Sequence, residues 1–445
     1  MSQKRIGILT LGCRVNLYES TAIAEALEKE GFDVVKGADE EECDVYVVNT
    51  CSVTAESHRQ SGQTVRKCAS KGKTAVLGCA SQQDAEKFLS IPNVFYVGGS
   101  RNKSDVVRAI LELTGEAGRD SAPVNAVLPM DRAPYEPMRV SGEGKVPLFS
   151  TCRAFVKIQD GCGARCSYCV IPAVRGPSRS RPLEDILEEA DRLAEAGYKE
   201  LIFTGISVSS FVSGGRSLPD LVAAMGEKKE KGIERVRFGS VSPGSVTERF
   251  LREIADSPNF MPHVHLSLQS GSGRILKLMN RPYTPEEAME KIRRLRSAVP
   301  RMELSADFIT GFPTETEEDY GLTEKFVREA GLLHVHAFPY SERKGTPAAA
   351  MEGSVPKEIR KDRCARLNGV SEALKEERMR RKIGTKVVLL TEKAGRGHAS
   401  GHTEEFMECR VRSDTAGVGE ILTAAVTGLE PDGKYLTGEI VYEQQ

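Results

Sequence analysis

Residues 154–169 read AFVKIQDGCGARCSYC. AFVKI (154–158) is an apolar, β-prone run. The chain then turns into a Gly-rich loop that carries Cys162, Cys166 and Cys169 in C-x3-C-x2-C spacing. A strand that ends on a set of chemically active side chains is the signature of a parallel α/β fold, because such folds build their sites at strand C-termini.

The same order of strand, then helix, continues downstream. Strand-like runs occur at ELIFTG (200–205), RVRFGS (235–240), HVHLSL (263–268), ELSADFI (303–309) and HVHAF (334–338). Segments with helical spacing separate them, at 183–197, 217–227, 245–256, 272–279, 285–297 and 316–330. Six β/α units predict an open or partial (β/α)6 barrel.

Upstream, Arg5–Leu11, Cys43–Asn49, Thr74–Leu77 and Val94–Val97 read as strands, with helices over Tyr18–Gly31 and Glu56–Ser70. This alternation predicts a separate parallel-sheet α/β domain. Residues 115–150 lack a sustained period and read as a linker or a loop with a little structure. A helix is predicted over 356–382, with ten Lys/Arg against five acids. After Gly384, short strands with Gly-rich turns predict a small β-barrel. The fold class is α/β. The domains are residues 1–118, a linker 119–149, a barrel 150–380 and a C-terminal domain 381–445.

A length of 445 residues agrees with about three domains at ~150 residues each. Lys and Arg number 62 against 63 acids, so a globally basic nucleic-acid coat is excluded, although a local basic face is not. No apolar run approaches the ~20 residues of a membrane helix. The N-terminus goes from a short basic start directly into a strand, so a cytoplasmic location is expected.

Eleven cysteines in such a chain point to metal or catalytic thiols rather than disulfides. Three thiolates within eight residues can hold three irons of a cubane cluster and leave the fourth open to a small molecule. The alternative is zinc, which needs a fourth ligand. The nearest histidines are His58 and His263, far from the motif, and Cys152 precedes the whole strand. A second set is dispersed: Cys13 in TLGCRVN, Cys51 in NTCSVT and Cys79 in LGCAS. Each lies where a predicted strand ends, so the three can converge on one cluster at a sheet edge. The alternative is three ordinary buried cysteines. Cys43, Cys68, Cys152, Cys364 and Cys409 read as structural thiols.

The C-x3-C-x2-C motif, with Tyr168 before its last cysteine, resembles the radical S-adenosylmethionine superfamily. TLGCRVN, NTC, LGCAS, DGCGARCSYCVIP, HLSLQSGS, MNRPYT and DFITGFPTETEEDY together resemble its methylthiotransferases. The resemblance covers nearly the whole chain apart from the linker. It implies two [4Fe–4S] clusters, one on Cys162, Cys166 and Cys169 and an auxiliary one on Cys13, Cys51 and Cys79. It implies S-adenosylmethionine as methyl donor and radical source, a flavodoxin or ferredoxin as low-potential electron donor, and a C-terminal TRAM domain.

Family members act on isopentenyladenosine in tRNA, threonylcarbamoyladenosine in tRNA or a ribosomal-protein aspartate. TLGCRVN, TGI (204–206) and FPYSERKGTPAA (338–349) resemble the threonylcarbamoyladenosine group. The implied reaction is methylthiolation at C2 of the adenosine 3′ of the anticodon, in a tRNA anticodon stem-loop. Ser242, Gly273 and SVSSF (207–211) depart from the family's usual residues.

Further site residues are expected around the mouth. Arg175, Arg179 and Arg181 follow the cluster loop and can grip a carboxylate or phosphates; the alternative is a solvated loop. Thr204, Gly205, Ser240, Gln269 and Gly311 fall at strand C-termini. Tyr168, Thr204, Gly205, Ser240 and Gly311 are expected at the cofactor, and Gln269 at the nucleoside. Arg378, Arg380 and Arg381 on the basic helix suit an RNA backbone; the alternative is a solvated helix face. His263 with His265, and His334 with His336, alternate on strands and read as structural. The rival from another class is a zinc-stabilised RNA-binding protein without catalysis.

Overall fold

The computed structural model describes residues 3–37, 42–115, 122–130, 135, 138–144 and 152–442. The N-terminal sheet holds β1 (Arg5–Thr10), β2 (Asp33–Lys36), β3 (Val45–Thr50), β4 (Lys73–Gly78), β5 (Val94–Gly98) and β6 (Val124–Ala126). All pair in parallel, in the order β2-β1-β3-β4-β5-β6. The central β3, VYVVNT, is buried along its whole length, as a parallel strand covered on both faces must be. β2 is only four residues long at the sheet edge, too short for its period to register in the sequence. β6 lies inside the stretch read as linker and extends the sheet beyond residue 118 through Tyr96↔Val124.

The central domain holds β7 (Arg153–Asp160), β8 (Arg179–Ser180), β9 (Glu200–Gly205), β10 (Arg235–Phe238), β11 (His263–Gln269), β12 (Glu303–Thr310) and β13 (His334–Pro339). β8 is a two-residue antiparallel partner of β7. The other six are parallel and follow chain order, with single bridges Val236↔Phe260 and Val241↔Leu266 joining β10 to the segment of β11. The partial barrel expected from the sequence is therefore present, with β7 and β13 as its two ends. Its helices match the expected segments within a few residues; Thr284 and Thr316 start two of them with reciprocal capping boxes.

The helix Arg14–Lys29 of the first domain packs against β7 and β9. One continuous apolar core joins Ile6, Ile8, Tyr18 and Ile23 to Val156, Ile158 and Leu201, so the two domains share an interior. The helix Lys357–Arg380 lies on β12 and β13 and leads into a closed barrel of β14 (Lys386–Gly395), β15 (His398–Thr403), β16 (Glu408–Arg412), β17 (Ile421–Leu429) and β18 (Leu436–Ile440). β15, HASGHT, escapes the sequence reading because it has little β-branched character. At Gly401 a Cβ would stand 1.8 Å from the Leu390 carbonyl, so only glycine fits this strand pair.

This third domain seals the bottom of the central barrel. Arg235 donates to the His402 and Val388 carbonyls at 3.0 and 2.9 Å, and Arg237 to the Thr403 carbonyl at 2.9 Å. Arg153 pairs with Glu392 at 2.8 Å and with the fully buried Glu200 at 2.5 Å. No helix of the described residues is long and apolar enough to cross a membrane.

Candidate active site

The loop after β7 is held by its backbone. Gly161 has φ +70°, and a Cβ there would lie 2.0 Å from the Pro177 carbonyl, so glycine is required. The Cys162 amide donates to the Gly176 carbonyl at 3.0 Å, and the Cys169 amide to the Cys166 carbonyl at 3.1 Å. Ser167 and Asn280 tie the loop to residues 278–280 through Ser167 Oγ to the Leu278 carbonyl (2.7 Å) and Asn280 Nδ2 to the Arg165 carbonyl (2.7 Å). Arg281 donates Nη1 to Cys166 Sγ at 3.3 Å and Nη2 to the Ser267 carbonyl at 2.9 Å. Burial pushes the Cys169 thiol up to about 11.

The second set of thiols gathers at the edge of the N-terminal sheet. Cys13 caps the helix Arg14–Lys29, Cys51 follows β3, and Cys79 opens the short helix Cys79–Gln83. Gly12 allows the close approach: at φ +93° a Cβ would stand 2.6 Å from Cys51 Sγ. The Cys51 thiol is raised to about 11, by burial first and then by Cys79 and Cys13. Burial also raises Cys13, which faces the cavity but is closely ringed by protein; Arg175 opposes that rise and Cys79 adds to it. The three thiols thus lie within one another's electrostatic reach. Arg175 Nε donates to Cys79 Sγ at 3.2 Å.

One cavity of about 730 Å³ is lined both by Cys13 of the second set and by Cys162, Cys166 and Cys169 of the first. Cys51 and Cys79 are buried behind Cys13. Tyr168, Thr204, Gly205, Ser240 and Gln269 line the same cavity, as the sequence predicts. Gln269 has φ +71°, a left-handed conformation at the end of β11 that a non-glycine residue holds only where its surroundings enforce it.

The donor sets suit clusters. Each set presents soft thiols, and in each a guanidinium donates to one sulfur. Among the described residues no three His, Cys, Asp or Glu side chains stand close enough together to hold a single metal ion.

The other expected residues lie outside this cavity. Arg175 is fully buried and belongs to an ionic network between the domains, with Glu19 at 2.7 Å, Asn16 at 2.6 Å and Asp160 at 3.3 Å. Lys157 joins Glu19 at 2.6 Å and Asp160 at 2.8 Å, and Lys103 joins Glu19 as well. Burial alone would raise the Glu19 carboxyl; Arg175, Lys103 and Lys157 overcome it and hold the carboxyl well below the usual range. Arg181 is fully buried on Glu189 at 2.6 Å. Arg179 donates to the Arg175 carbonyl at 3.1 Å. None of the three lines the cavity.

Gly311 also lies outside it. Its φ is +70°, and a Cβ would stand 2.3 Å from Arg360 Cγ, so this glycine admits the helix Lys357–Arg380 rather than a cofactor. Arg378 pairs with Glu303 at 3.0 Å; Arg380 and Arg381 are exposed, on Glu376 and Glu377 one turn away. Residues the sequence reading passed over are Arg281, Asn280, His265, Asp307, His336 and Arg14, all on the cavity wall. The available signals were the blocks that hold them, MNRPYT for Asn280 and Arg281, TLGCRVN for Arg14 and DFITGFPTETEEDY for Asp307, while His265 and His336 read as structural.

Comparison with known proteins follows the same division. The pattern of the radical SAM superfamily matches residues 156–327, and an uncharacterised protein family, UPF0004, matches residues 5–98. The threonylcarbamoyladenosine tRNA methylthiotransferase MtaB of Bacillus subtilis is 32% identical over 97% of this chain and 95% of its own length. The protein of the same name from Rickettsia prowazekii is 34% identical, with 95% of each chain covered. A tRNA-2-methylthio-N(6)-dimethylallyladenosine synthase of Staphylococcus haemolyticus is 31% identical over 94% of this chain and 82% of its own. Among solved structures, a radical S-adenosylmethionine methyltransferase, TsrM, from Kitasatospora setae superposes with a TM-score of 0.55 at 15% identity, covering 78% of this chain and 77% of that one. That likeness is one of fold.

Proposed function

We propose, since the chain belongs to the methylthiotransferases of the radical S-adenosylmethionine superfamily, that it adds a methylthio group at C2 of N6-threonylcarbamoyladenosine 3′ of the tRNA anticodon. The observation that carries the reading is the cavity lined at once by Cys13 and by Cys162, Cys166 and Cys169. A reaction that needs a radical and a sulfur at one carbon needs both sources to face one space.

The superfamily brings one [4Fe–4S] cluster and S-adenosylmethionine, and Cys162, Cys166 and Cys169 would hold that cluster. Cys13, Cys51 and Cys79 would hold the second. Bound, these groups supply a 5′-deoxyadenosyl radical and a methylated sulfur for transfer. The chain's own residues do the rest. Arg281 and Arg175 balance the charge on the sulfurs they touch. Thr204, Gly205, Ser240 and Tyr168 offer polar contacts for S-adenosylmethionine, and Gln269 for the base. The helix Arg14–Lys29, packed across β7 and β9, keeps water from that side of the cavity. The basic helix and the TRAM-like barrel suit the RNA backbone, with Arg380 and Arg381 exposed. A flavodoxin or ferredoxin would supply the electron, in the cytoplasm.

The test uses anaerobic protein, reductant, S-adenosylmethionine and a threonylcarbamoylated stem-loop, with nucleoside mass spectrometry. Wild type is expected to contain about eight irons by the two-cubane reading and to yield the methylthio product. Cys166→Ala should lose deoxyadenosine formation; Cys51→Ala should retain part of it while losing the product. Zinc without iron, or normal sulfur transfer by Cys51→Ala, would reject the reading.

A further inference from the structure

A second cavity, of about 310 Å³, occupies the lower half of the barrel, floored by His402 and Phe406 of the C-terminal domain. Arg14, His265 and His336 line both cavities, so the two adjoin. Five of the chain's seven histidines border the lower one. They are not poised as metal ligands: His263 bonds Ser305 at 2.6 Å, His265 faces Asp307 at 3.1 Å, and His402 bonds Glu392 at 2.5 Å. Burial first, then His336, lowers His334 to about 4; burial and Arg237 hold His263 well below its ordinary range. His263 and His334 are thereby held in the neutral form, and the fixed positive charge in the cavity comes from elsewhere.

Three cationic side chains supply it. Lys375 is paired with Glu408 at 3.1 Å. Arg237 shares Glu200 with Arg153 and Arg235, and its Nη1 is buried without a hydrogen-bond partner. Arg14 has neither a hydrogen bond nor an ion pair among the described residues; its guanidinium lies 5.6 Å from the Phe155 ring centroid. The carboxylates of Asp307 and Glu200 act on it only through space, and a guanidinium enclosed in a barrel with no bonded partner is an incomplete site, because the cost of enclosing charge is offset best by a bonded one.

We propose that the lower cavity receives the free carboxylate of the substrate's N6 substituent, with Arg14 as the fork that binds it. The inference rests on the threonylcarbamoyladenosine reading and adds the means of choosing it. Arg14 follows Cys13 directly, so the grip on the substituent and the second thiol set share one turn of chain. In adenine, C2 and C6 flank N1, so a substituent on N6 leaves the ring beside the reacting carbon. A threonylcarbamoyl group ends in a carboxylate and a hydroxyl, which the guanidinium and neutral imidazoles can bond. A dimethylallyl group ends in methyls and would enclose Arg14 unpaired, which rejects it.

The experiment titrates the full-chain anaerobic holoprotein with fluorescent anticodon stem-loops that carry threonylcarbamoyladenosine, its carboxamide analogue or dimethylallyladenosine. Wild type should bind the acid at least about tenfold tighter than the carboxamide. Arg14→Met should bring that ratio near one and leave carboxamide binding unchanged. If Arg14→Met loses iron, Arg14→Lys replaces it, with a reduced ratio and unchanged carboxamide binding. Equal wild-type binding of acid and carboxamide, or a variant that weakens both alike, would overturn the site. Product formation separates the two ideas. Methylthiolation of the threonylcarbamoyl stem-loop with a ratio near one removes only the carboxylate site, whereas methylthiolation of the dimethylallyl stem-loop alone removes both.

Discussion

Arg175 shows how residue type and residue role part company. In the sequence it stands in a basic loop beside the cluster motif, VRGPSRSRP, which suits a grip on substrate. In the fold it is fully buried, joins Glu19 and Asp160, and touches Cys79 Sγ. It ties Cys79 of the second thiol set to the ionic network at the domain interface. Removing one partner of such a buried ionic network is expected to cost about 3–5 kcal/mol. Arg175→Met should therefore lower the denaturant midpoint strongly and lose iron from the set at Cys79. Unchanged unfolding together with full iron would refute this. The six cysteines, by contrast, were legible because thiols after strands point to few other chemistries.

At the scale of elements, glycines decide where loops meet. Gly12 lets the end of β1 close on Cys51, and Gly78, at φ +108° with a Cβ 2.4 Å from the Thr50 carbonyl, lets β4 end against β3. On the proposed two-cluster reading, Gly12→Ala should displace Cys51, halving the iron content while the radical cluster's share remains; a full complement of iron in that variant would contradict the placement. Most of the strands and helices were legible, since a period of two or 3.6 is written locally. β2 and β6 were not, being short edge strands, nor was β15, whose pairing depends on Gly401. Gly311 shows the limit of reading by position. It ends a barrel strand, as cofactor contacts do, yet its missing side chain makes room for Arg360.

For the whole molecule, the charge buried beneath the barrel couples the second and third domains. Burial would raise the Glu200 carboxyl, but Arg237, Arg153 and Arg235 together lower it to about 2 from the ordinary 4.5. A carboxyl depressed in the folded state contributes stability above its unfolded pKa and loses it as pH falls toward the folded value. Unfolding free energy should hold near neutral pH and drop, by on the order of 3 kcal/mol from this group, between about pH 4.5 and 2. Denaturant titrations of wild type and Glu200→Gln across that window test it: the variant should be less stable at pH 7 and should lack that part of the slope. Parallel pH profiles would dismiss the assignment.

From the sequence alone came the α/β class, the partial barrel, the small C-terminal barrel and the two groups of three cysteines. Each is carried by local periodicity or by residue chemistry at a strand end, which needs no knowledge of distant neighbours. Only the tertiary structure decided which arginines are buried in ion pairs, which glycines serve packing, and that Arg14 borders two cavities with no bonded partner among the described residues. Those outcomes depend on which charges the fold brings together out of water, and partners such as Glu19 and Arg175, 156 residues apart, leave no mark on each other's sequence surroundings.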